Sequence, residues 1–170
     1  STPPFAANLK AYFPFDGDTN STNPVVSGTA NGASLTTDRF GNPNSALQFD
    51  GVDDSFSTGL AAIWNDFTVS LWARPLKSTT VTATSSTGIS LYNVTPQNPL
   101  IHPTHGGVAN RSFGVNLGTN GLSVTHYADG IVTSSLAFGG ALDLTGWTHY
   151  VIVSDSDRAS LYVNGTWRLD

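Results

Sequence analysis

The sequence predicts an all-β fold, an antiparallel two-sheet sandwich of the jelly-roll kind. The first ground is the run GWTHYVIVSDSDRASLYVNG, Gly146 to Gly165. Trp147, His149, Val151 and Val153 fall on one face, and Thr148, Tyr150 and Ile152 on the other. A polar turn, 154–158, leads to Ala159, Leu161 and Val163 alternating with Ser160, Tyr162 and Asn164. Period-two alternation, a polar turn and a closing Asn-Gly specify an antiparallel hairpin. The second ground is spacing: roughly ten or more short strands at close intervals imply a sandwich or jelly roll. The third is composition, with helix formers scarce and β-branched and aromatic residues common. A length of 170 residues suits one domain with a sizeable core.

The elements follow in order. Residues 1–7, STPPFAA, read as a linker or a mature N-terminus, and residues 8–170 as the sandwich. Asn8 to Phe15 alternates, with Leu9, Ala11, Phe13 and Phe15 on one face, and Asp16-Gly17-Asp18 stops it. Asn20 to Gly32 is a polar loop. Ala46 to Phe49 is a short strand before the turn Asp50-Gly51-Val52-Asp53-Asp54. Phe67 to Arg74 is the strongest central strand, ended by Pro75. Apolar groups on both of its faces, Trp72 opposing Phe67, Val69, Leu71 and Ala73, suit a strand covered on both sides.

Residues 77–88 are a Thr/Ser-rich loop or weak edge, and Ile89 to Val94 is a strand. Thr95 to Arg111 is a long Pro/His/Gly/Asn loop of the kind that often carries function. Ser112–Leu117 and Leu122–Tyr127 are strands joined by Gly118-Thr119-Asn120-Gly121, and Ile131–Phe138 is another strand before the closing hairpin.

Composition narrows the chemistry. Charged residues are only 11%, so solubility rests on Ser, Thr, Asn and Gly, the dress of an extracellular β-protein. All 12 acidic residues are Asp, a residue suited to turns and to short-reach ligation of hard cations. The net charge of −5 and the lack of a basic cluster argue against nucleic acid. The absence of Cys excludes disulfides, a thiolate nucleophile and Cys-ligated metal. Met is absent too, so Ser1 is expected to follow a processed leader or an upstream domain. No apolar run approaches membrane-spanning length, and no membrane insertion is expected.

Several segments, in order, carry a family resemblance: AYFPFDGD (11–18), LTTDRFGNPNSALQFDGVDD (35–54), FTVSLWARP (67–75), and HPTHGG (102–107) with FGVNLGTNGLSVTHY (113–127). The closing Trp-x-His and Leu-Tyr-Val-Asn-Gly strands complete it. The chain resembles the bacterial laminin G-like, concanavalin A-type domains that decorate adhesins, multidomain glycoside hydrolases and phage fibres. That fold hosts lectins, enzymes and inert spacers alike. The resemblance implies a Gly-rich strand after Val-Asn-Gly, then a last strand bearing an Asp that returns beside the N-terminal strand. With the chain ending at Asp170, the sandwich is expected to lack its last strand or strands. A polypeptide segment is then expected to supply the missing pairing for Leu9–Phe15.

The residues raise four chemistries. For calcium, the resemblance places Asp16 or Asp18 and the Asp50-Gly51 carbonyls at a structural ion, so Asp16, Asp18 and Asp50 are the candidate ligands. The plainer alternative is that Asp-Gly turns are simply good turns. For glycans, the long loop and its neighbours offer Tyr92, Asn98, His102, His105, Asn110, Arg111 and Tyr127 as the candidate site. Trp64 and Trp167 are further stacking platforms, whereas Trp72, Trp147 and Tyr162 are expected in the core.

For zinc, His102 and His105 stand close in sequence, with His126 and His149 elsewhere, but a structural role resembles the family better. For catalysis, laminarinase-type hydrolases on this fold use two Glu, and this chain has none. Its close Asp pairs, Asp53/Asp54 and Asp155/Asp157, sit in turns, and no Gly-x-Ser-x-Gly elbow occurs.

The expectation is a non-catalytic, carbohydrate-binding surface or adhesion module whose partner is a glycan or surface polysaccharide. The rival is a structural or assembly domain of a filament, adhesin or virion fibre. The location expected is extracellular, on a bacterial cell surface or on a virion.

Overall fold

The computed structural model describes residues 8–22, 26–60, 67–78, 80–81, 94–95, 99–101, 112–119, 121–128, 131–139, 144–155 and 158–169. Every regular element among them is a strand, and every pairing is antiparallel. The chain forms two compact units, Ser1–Ala61 and Ala62–Asp170.

In the first unit, β1 (Thr29–Asn31) pairs with β4 (Ser55–Ser57), and β2 (Ser34–Thr36) with β3 (Ala46–Gln48). The segment Leu9–Phe15, read from its alternation as a strand, joins no ladder among the described residues. Phe15 instead turns to φ 57°, a left-handed conformation rare for a bulky side chain. Its ring and that of Phe13 each meet Phe56 edge-on at 5.2 Å between centroids. Such edge-to-face contacts favour aromatic clustering over strand pairing here. Gly28 lies against the same cluster, where any Cβ would run into the Phe56 ring.

In the second unit, two four-stranded sheets face one core. One runs β11 (Ile131–Gly139), β10 (Gly121–Ala128), β9 (Ser112–Gly118), β8 (Pro99–Ile101). The other runs β14 (Thr166–Leu169), β13 (Arg158–Val163), β12 (Thr148–Asp155), β5 (Phe67–Ala73). A short pair, β6 (Thr80–Val81) with β7 (Val94–Thr95), accompanies them. Val115, Leu117 and Leu122 from the first sheet meet Tyr150, Ile152, Leu161 and Val163 from the second, with Leu144 between strands. Leu71 and Ala73 pack against this cluster, as the alternation of β5 predicts.

Three features depart from the sequence reading. First, β5 is a terminal strand of its described sheet, not a central one. Its outward Trp72 is 42% exposed, so the strand is covered on one face only. Second, β8 lies inside the segment read as a long loop. Third, Asn164-Gly165 does not end the sheet. With φ values of 50° and 76°, the pair makes a tight hairpin turn into β14.

Tyr150 is 2% exposed, and its hydroxyl has no aligned hydrogen-bond partner among the described residues. Burial pushes its pKa up to about 12, and the neighbouring Thr148 hydroxyl offsets this only weakly. The folded state therefore favours the neutral phenol. Stability tied to Tyr150 is complete below the unfolded value of 10.0 and is lost as pH rises towards about 12. Tyr150→Phe removes the unsatisfied hydroxyl, so urea unfolding is expected to give equal or higher stability near neutral pH. It should also give a shallower loss between about pH 10 and pH 12. A clear destabilisation of Tyr150→Phe near neutral pH would show that the hydroxyl has a partner after all.

Candidate functional site

The side chains that leave the core along β12 and its neighbours build a continuous outer face. On β12 the inward positions Thr148, Tyr150, Ile152 and Ser154 are buried, while His149, Val151 and Val153 are half-buried on the opposite side. Residues directly opposite in an antiparallel ladder share a face. The register therefore sets Trp72 beside His149, and it aligns Ser70, Val151, Tyr162 and Trp167 in the adjacent row.

His149 is the hinge of this surface. Its ring stacks on Trp72 at 5.1 Å and 24°. Its Nε2 lies 2.8 Å from the Ser70 hydroxyl. Its backbone is clasped by Asn164: the His149 N–H donates to Asn164 Oδ1 at 3.0 Å, and the Asn164 N–H donates to the His149 carbonyl at 2.9 Å. The turn residue that redirects the chain into β14 thus also fixes the strand carrying the imidazole. One step along, the Arg74 guanidinium sits 5.6 Å from the Trp147 ring centroid.

At the far strand Trp167 is 53% exposed, and Tyr162 beside it is half-buried. Three strand spacings separate β5 from β14, so Trp72 and Trp167 stand roughly 15 Å apart across the sheet. The arrangement is an aromatic surface on one sheet face, edged by hydroxyl, amide and imidazole groups. It can stack the apolar faces of rings and hydrogen-bond their rims.

Trp72, Trp147 and Tyr162 belong to this outer surface and not to the core, where the sequence reading expects them. The signal was present in the alternation: Trp72 is out of phase with Phe67, Val69, Leu71 and Ala73. Of the expected glycan residues, Tyr92, Asn98, His102, His105, Asn110 and Arg111 lie outside the described residues, as does Trp64. Tyr127 is on β10, paired with Ser112 and Val132, and its side chain lies outside the description.

The acidic turns belong to the first unit. Asp50, Asp53 and Asp54 bring carboxylate oxygens within 4.8 Å of one another. Two of those groups already serve the turn: Asp50 Oδ1 accepts from the Val52 N–H at 2.7 Å, and Asp54 Oδ2 accepts from the Asp50 N–H at 2.8 Å. Asp16 and Asp18 stand outside this group, flanking Gly17. Asp18 Oδ1 accepts from the Asn20 N–H at 2.7 Å. The three clustered carboxylates suit a hard cation in kind, since their remaining oxygens are oxygen donors on an exposed turn.

A family model described as the concanavalin A-like lectin/glucanases superfamily matches residues 50–168. The chain belongs to this family. No curated protein and no solved structure gives a significant match. In this concanavalin A-like domain the outer aromatic face lies wholly within the matched residues. The family description spans sugar-binding and sugar-cleaving members. Among the described residues, no helix is long and apolar enough to cross a membrane.

Proposed function

We propose that this domain is a non-catalytic carbohydrate-binding module acting on a cell or virion surface, and that it holds an extended polysaccharide along the outer face of β5, β12, β13 and β14. The observation that carries the reading is the pair of exposed indoles, Trp72 and Trp167, on one face of the sheet with Tyr162 and His149 between them. A row of aromatic groups across one sheet face suits a chain of sugar rings lying along it better than one ring in a pocket. The absence of Glu supports binding without cleavage.

The same reading assigns a structural calcium ion to Asp50, Asp53 and Asp54, whose charges repel one another without a cation. Calcium is then expected to raise the melting temperature and excess chelator to lower it. Identical melting curves under both conditions would contradict an ion at this turn.

The binding reading is tested with Trp72→Ala and Trp167→Ala in affinity electrophoresis against a panel of neutral and anionic polysaccharides. Each variant is expected to weaken retention by about tenfold with little change in melting temperature, because each indole is exposed. Retention equal to that of the unsubstituted chain in both variants would overturn the proposed face. A domain that retains no polysaccharide at all would support the rival reading, a structural or assembly domain.

A further inference from the structure

A second surface lies in the first unit and shares no residue with the outer face of the sheet. It is a groove of about 550 Å³ between two segments, one contributing Tyr12, Pro14 and Asp16 and the other Asp38 to Ser45. This volume falls within the range of small-molecule sites.

Both walls are fixed by hydrogen bonds. The Gly17 N–H donates to the Asn44 carbonyl at 2.9 Å and so ties one wall to the other. The Tyr12 N–H donates to Ser21 Oγ at 2.9 Å, and the Thr22 N–H donates to the Tyr12 carbonyl at 2.9 Å. Across the groove, Asp38 closes its own loop. Its Oδ1 accepts from the Phe40 and Asn42 N–H groups at 2.8 Å each, and its Oδ2 accepts from Asn42 Nδ2 at 3.0 Å. Burial pushes the Asp38 carboxyl up, but those donors and the Arg39 charge outweigh it and hold the pKa below the usual 3.8.

The walls present chemistry suited to a sugar ring. Tyr12 is 48% exposed and offers a flat ring with a polar tip. Asp16 is exposed and supplies carboxylate acceptors for hydroxyl donors, the stronger class of hydrogen bond. Arg39 already covers the Phe40 ring at 4.1 Å, so a cationic ligand finds that face taken. Two carboxylates, Asp16 and Asp38, against one guanidinium disfavour an anionic ligand.

We infer that this groove is a second carbohydrate site that takes a single neutral pyranose residue, stacked on Tyr12 with its hydroxyls donating to Asp16. The inference shares the carbohydrate reading above but stands on residues outside the family match, which begins at residue 50.

The test is ligand-observed NMR on the 170-residue chain with methyl glucopyranoside, methyl mannopyranoside and methyl galactopyranoside. At least one is expected to bind with an affinity on the order of millimolar, as suits a ligand this small. Tyr12→Ala and Asp16→Asn should each weaken it by about tenfold. The double variant Trp72→Ala/Trp167→Ala should bind it unchanged. Asp16→Asn is isosteric and exposed, so it decides the matter if Tyr12→Ala lowers the melting temperature. No glycoside binding by the unsubstituted chain, or full binding by Asp16→Asn, overturns the inference. Binding lost in the Trp72/Trp167 variant but kept in the groove variants also overturns it, and leaves the outer-face reading standing.

Discussion

The second unit depends on the two-sided use of β12. Tyr150 and Ile152 point into the core, and His149 and Val151 point away from it. Fully burying a side chain such as Ile152 contributes on the order of 1.5–3 kcal/mol, enough to fix the register of the strand. A slip of one residue would carry the whole apolar set to solvent and the imidazole into the core. The inward row therefore determines where His149 stands, and His149 determines where Trp72 stacks. Core packing and surface chemistry are set by the same alternation.

The first unit is organised differently. Its strands are three residues long, too short to bury much, and its loops are held by side chains that bond their own backbone. Asp38, Asp50 and Asp54 each accept a nearby N–H, and Asp18 does the same. The absence of Glu makes sense in this light, because the shorter Asp reaches its own turn where Glu would overshoot. The Phe13, Phe15 and Phe56 cluster supplies apolar burial that the short ladders do not.

Much of this was legible in the sequence, and the failures have physical causes. The β12–β13 and β9–β10 pairings and the inward face of β5 follow from period-two patterning and turn residues. The phase of Trp72, opposite Phe67, Val69, Leu71 and Ala73, is legible; the error is the second cover expected over it, because an indole there suggests burial although its parity with Thr68 and Ser70 gives the solvent side. Leu9–Phe15 alternates well, but its rings gain more from Phe56 than from a ladder. Strand β14 escapes a reading that ends the run at Asn-Gly, because the pair's preference for positive φ marks a turn between strands. The groove of Tyr12 and Asp16 is not legible in the sequence, since it joins segments about 30 residues apart, tied by the Gly17–Asn44 hydrogen bond.

The account rests most directly on Ile152, which is 1% exposed at the centre of the inward row. Urea unfolding of Ile152→Ala measures that claim. A loss of about 2–5 kcal/mol is predicted, as for other buried aliphatic truncations that leave a cavity. A loss below about 1 kcal/mol would contradict it, because β12 would not then be anchored by its inner face.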